Sequence, residues 1–138
     1  MSLMDKLMKA DASKFSTRPT KELEMKRLTE ILGSPFVLTL QAISAEKYSD
    51  IQSDALTFSK GKVAGVDTYR LQVETIKAGV KEPNLKDKDL LKHFGCATPN
   101  DLIDKLFNFA EITQIAEEIS TLCGFKSQDE VDKEVKNS

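Results

Sequence analysis

The chain has 138 residues, 40% of them hydrophobic and 30% charged, with a formal net charge of −2. That length suits one core of roughly 100 to 150 residues, and the balance of apolar and charged groups excludes fibrous, low-complexity and disordered classes. The longest apolar runs, such as Phe36, Val37 and Leu38, fall far short of the roughly 20 residues of a membrane span, and two cysteines without CxxC spacing exclude a disulfide framework or a zinc site.

In chain order, Ser2 is a good N-cap for Leu3, Met4, Leu7 and Met8, which recur at helical spacing and predict a short amphipathic helix over residues 1–10. Asp5 and Lys6 split those apolar residues, so no export signal is predicted and the chain reads as cytoplasmic. Over residues 21–28, Leu23 and Met25 alternate with charges, whereas Leu28, Ile31 and Leu32 switch to helical spacing; strand and helix both stay open there. Gly33, Ser34 and Pro35 make a turn, and residues 36–43, FVLTLQAI, form the clearest strand signal.

Ser44 caps a helix expected to carry Tyr48, Ile51, Ala55 and Phe58 on one face and to end before a loop, KGKVAG. Asp67 starts the next helix, striped by Tyr69, Val73, Ile76 and Val80 and stopping before Pro83, because proline disfavours helical geometry ahead of it. Asp87 caps a short helix closed by Gly95, and Thr98 with Pro99 opens another. Leu102, Ile103, Leu106, Phe107 and Ala110 define a face that Ile112, Ile115, Ala116, Ile119 and Cys123 do not continue. The capping-box pair Asn108 and Glu111 therefore marks a break, with a further helix running to Gly124. Ser127 and Glu130 repeat the cap pattern before a polar tail, 126–138, expected to fray. The sum is a single α+β domain, residues 1–138, predominantly helical, with a small β-sheet or hairpin packed against four or more helices.

The sequence carries no recognisable catalytic motif. His93 is the sole histidine, which excludes HExxH zinc sites, and its position suits a helix C-terminus favoured by the macrodipole. Neither GxSxG, GxxxxGK[ST] nor GxGxxG occurs. Cys96 and Cys123 read as free thiols acting as small hydrophobes near helix ends. No catalytic, metal or cofactor residues are assigned. The segment DLLKHFGCATPNDLIDKLF has the outline of a helix-turn-helix, but residues 98–124 carry one lysine against five acids, and such a face repels a polyanion. Residues 60–92 hold eight positive and five negative side chains without interleaved stacking aromatics, an ordinary solvated face. Neither nucleic acid nor membrane is an expected partner.

Three stretches carry a resemblance: RPTKELEMKRLTEILGSPFVLTLQAIS, KDKDLLKHFGCATPNDLIDKLF and EITQIAEEISTLCGF. Through the pieces TKE-E-KRL, G-PF, LL--FG--T and EI--IAEEIS-L-GF, in order and over nearly the full length, the chain resembles the XkdN-like tail assembly chaperones of PBSX-like prophages. One departure is that the family often places a proline-glycine turn between KLF and EI, where this chain has Asn108, Phe109 and Ala110. The resemblance implies a non-enzymatic chaperone that binds the tape-measure protein, keeps it soluble and helps tail tube protein polymerise around it, without a cofactor. Self-association is a further expectation. Candidate partner-binding residues are Leu3, Met4, Leu7 and Met8, since methionine adapts to varied surfaces, together with Phe107 and Phe109. The alternatives are a structural tail component retained in the particle and a small helical adaptor or regulator.

Overall fold

The computed structural model describes residues 1–125; the cap at Ser127 and Glu130 and the tail 126–138 lie outside them. The first helix, α1 (Leu3–Lys9), is capped as expected: Ser2 Oγ accepts from Asp5 N at 3.2 Å, and the Asp5 carboxylate accepts from Ser2 N at 3.2 Å. A single turn, α2 (Ser13–Ser16), follows where Asp11 accepts from both the backbone and the hydroxyl of Ser13.

The open stretch resolves into both alternatives in succession. Strand β1 (Thr20–Glu24) gives way at Met25 to α3 (Lys26–Leu32). Met25 is buried, and its N–H donates to Phe36 O at 2.9 Å. Thr29 Oγ1 accepts from Phe36 N at 2.9 Å and donates to Glu24, while Gly33 ends α3 at φ 77°, a conformation glycine adopts without steric cost. The turn thus lays β1 antiparallel on β2 (Val37–Gln41), with Leu23 opposite Leu38.

Helix α4 (Ala45–Asp54), capped by Ser44, is shorter than its apolar spacing suggested. Leu56 and Phe58 belong instead to β3 (Leu56–Ser59), and the expected loop KGKVAG contains the turn and second strand of a hairpin, β4 (Lys62–Val66). Lys60 and Gly61 both have positive φ, 53° and 77°, the geometry of a tight turn whose twist matches its strands. Helix α5 (Thr68–Gly79), capped by Asp67, likewise ends earlier than Pro83. Its expected continuation is β5 (Val80–Glu82), which pairs with β2 and completes a three-stranded antiparallel sheet of order β1-β2-β5. Val80 therefore packs from a strand. In both corrections a helical stripe continues by coincidence into a strand, because spacings of three, four and two residues overlap over such short runs.

The remaining helices stand where their caps placed them: α6 (Lys88–His93) after Asp87, α7 (Pro99–Leu106) after Thr98, and α8 (Phe109–Leu122) after Asn108. Despite the lack of a proline-glycine turn, Asn108 and Glu111 form a full capping box, each accepting from the other's N–H at 2.9 Å. The fold is α+β. Leu38 and Leu40, alternating along β2, point with Val73 and Ile76 of α5, Leu102 and Ile103 of α7, and Ile112, Ile115 and Ile119 of α8 into one core cluster. Each such side chain contributes about 1.5 to 3 kcal/mol on burial. Helices α5 and α8 come close because Gly79 leaves room: a Cβ there would meet three Ile119 carbons at 2.6 to 2.9 Å.

Candidate functional site

Polar side chains tie the elements together. Arg27 Nε donates to both Glu111 oxygens at 3.1 Å, and its Nη2 donates to Glu111 Oε1 at 2.6 Å and to Leu106 O at 2.8 Å. Burial alone would push the Glu111 carboxyl up, but the Arg27 guanidinium and the Asn108 N–H hold it below the usual glutamate range; the same carboxylate raises Arg27. Lys21 of β1 pairs with Glu118 of α8. Tyr48 and Ser120 hydroxyls lie 2.9 Å apart, Gln72 donates to Thr113 at 3.2 Å, and Tyr69 donates to Asp104 at 3.3 Å; burial first and then the Asp104 charge push the Tyr69 phenol up. These groups have identified structural partners.

The thiols behave as small core groups. Cys123 Sγ accepts from Ile43 N at 3.2 Å and borders the core with Cys96. His93 closes α6 and meets Phe94 edge-on at 5.1 Å. Among the described residues no cluster of histidine, cysteine and carboxylate side chains could hold a metal ion, and no helix is long and apolar enough to cross a membrane.

Among the described residues, several large apolar side chains lie exposed. On α1 no residue is buried: Leu3 is 72% exposed, Met4 66%, Leu7 50% and Met8 79%. The sequence places these four on adjoining turns of one helix, and among the described residues that face lies exposed. The two candidate phenylalanines are separated: Phe107 is 3% exposed and meets Phe36 edge-on at 6.3 Å, whereas Phe109, the first residue of α8, is 66% exposed. Phe107 is thus a core residue, because the cap at Asn108 turns the chain between them.

Two further apolar surfaces were not anticipated. Ile31, Leu32 and Val37 are exposed at the corner of α3 and β2, where Leu32, Pro35, Val37 and Pro83 line a shallow groove. On the hairpin, Leu56 opposite Val66 and Phe58 opposite Val63 share one face, and Phe58, Val63 and Val66 are exposed. A Lys-Gly pair between TFS and KVAGV was the available signal for that hairpin.

The fold and this surface define a small α+β protein with an uncovered apolar helix, a corner and a hairpin face outside its core. The chain matches the model of the phage XkdN-like tail assembly chaperone proteins over residues 4–136 and belongs to that family. It is similar in fold to the crystal structure of the protein YqbN, with a TM-score of 0.59 and 17% identity over 85% of this chain and 98% of that one. No curated protein matches it.

Proposed function

We propose that this tail assembly chaperone binds the tape-measure protein in the bacterial cytoplasm, covers its apolar stripe and promotes polymerisation of the tail tube around it. The single observation that carries this reading is α1, an amphipathic helix with Leu3, Met4, Leu7 and Met8 uncovered. A helix of two turns is marginal alone in water and gains stability by packing its apolar face on another chain. A long amphipathic partner supplies such a face, and flexible methionines fit a repeating, imperfect surface. Phe109 extends the contact in this reading, and residues 1–138 act as one domain without catalysis.

Co-expression of this chain, tagged, with the tape-measure chain tests the proposal. The tape-measure chain should become soluble and co-purify, and the association should persist in added salt because apolar burial is not screened as charge pairing is. A tape-measure chain that stays insoluble and never co-purifies overturns the proposal. Recovery of the protein as a stoichiometric component of finished tails favours a retained structural part instead.

A further inference from the structure

We propose that a cleft bordered by α4, α5 and the start of α7 binds a carboxylate-bearing segment of a partner protein. Lys47, Glu74, Lys77, Ala78, Lys86 and Pro99 line this opening of about 360 Å³. Lys47 comes from the first turn of α4, Glu74 and Lys77 from the second half of α5, Lys86 from the loop before α6, and Pro99 from the first position of α7. Three lysines from separate parts of the chain therefore share one cleft with a single carboxylate.

That carboxylate is already engaged. Lys77 Nζ donates to Glu74 Oε1 at 3.1 Å, and Lys77, in the last turn of α5, also offsets the carbonyl end of its helix. Among the described residues neither Lys47 nor Lys86 forms an ion pair. Lys47 moreover breaks a local rule, since a cation in the first turn of a helix opposes the macrodipole. Departures of this kind concentrate where a site serves something other than stability. The first turns of α4 and α7 both border the cleft.

The lining selects among anions. Ala78 and Pro99 offer aliphatic surface and no aromatic ring on which a base could stack. A glutamate or aspartate side chain, with its short apolar stem against Ala78 and Pro99 and its carboxylate between Lys47 and Lys86, satisfies both sides.

The test titrates the full chain at low salt with a hexaglutamate peptide, with inorganic phosphate and with an oligothymidylate strand, following backbone amide shifts. It requires no tail protein, so its outcome is separate from that of the tape-measure reading. Hexaglutamate should shift the amides of Lys47, Lys77 and Lys86, weakly and with strong salt dependence. The double variant Lys47→Gln, Lys86→Gln should weaken binding by about tenfold or more, while Lys47→Arg, Lys86→Arg retains it. Unchanged amide dispersion in both double variants shows that they fold. A peptide that leaves the cleft amides unmoved, or one bound equally by the Gln variant, overturns the proposal. Tighter binding of phosphate or of the oligonucleotide at those amides overturns the choice of a carboxylate partner.

Discussion

Arg27 and Glu111, 84 positions apart, join the start of α3 to the first turn of α8, and Glu111 Oε1, which accepts from Arg27, also completes the cap at Asn108. One carboxylate thereby fixes both where α8 begins and which helix its beginning touches. Removing it by Glu111→Gln should lower stability at neutral pH in denaturant unfolding. Because the folded carboxyl is held below its ordinary range, the stability it adds is fully present above the unfolded value and is lost as pH falls through the folded one. The gap between wild type and Glu111→Gln should therefore close as unfolding is followed from neutral pH to about pH 3. A gap independent of pH would show that the carboxylate's charge is immaterial.

The cap is separable from the ion pair. Asn108→Ala removes the acceptor for Glu111 N and should cost about 1 kcal/mol, with Asn108→Asp nearly neutral. Urea midpoints of the two variants check this directly.

Gly79 and Ile119 form a close approach in which neither side chain can grow. Gly79→Ala should destabilise by about 1 to 3 kcal/mol, since its Cβ enters the space of three Ile119 carbons. Ile119→Ala leaves a cavity and should cost about 2 to 5 kcal/mol alone. Combined, the two should cost clearly less than their sum, as each vacates what the other crowds; strict additivity in a double-mutant cycle would contradict the geometry.

The two phenylalanines flanking Asn108 should respond oppositely. Phe107→Ala should cost about 3 to 5 kcal/mol, as expected for a buried aromatic side chain, while Phe109→Ala should stay within about 0.5 kcal/mol of wild type. Thermal denaturation of both variants checks the split.

On α1, Leu3→Asp and Leu7→Asp should leave the unfolding midpoint of the body unchanged, because no α1 residue is buried. In the co-expression assay the same variants should reduce recovery of the tape-measure chain. Full recovery would move the contact away from this helix.

Caps made most of the helical part legible: Ser2, Ser44, Asp67, Asp87, Thr98 and Asn108 each stand one residue before a helix and accept from it, a local event written in local sequence. Helix ends were less legible. Neither α4 nor α5 stops at a glycine or proline placed beyond its end; each yields to a strand whose partner lies elsewhere, β2 for Val80 and β4 for Leu56. The same limit governs the candidate site. The face of α1 could be read from periodicity, but its exposure depends on nothing packing over it, and Phe107 and Phe109 differ only through the direction the chain takes at Asn108. The stretches that carry the family resemblance hold one another: Lys21 and Arg27 come from the first and Glu118 and Glu111 from the third. They record the fold more than the contact surface.

The dependence of the sheet on α8 has a consequence for synthesis. Leu38 and Leu40 of β2 lie in the same core as Ile112, Ile115 and Ile119, so the core is incomplete until α8 is available. At ribosomal rates of about 5 to 20 residues per second, some 80 residues separate those groups by roughly 4 to 16 seconds. Helix α1, which buries nothing, has no such wait. Its apolar face emerges before the core can close, so in the proposed reading it is accessible to the tape-measure chain while the rest of the molecule is still unfinished.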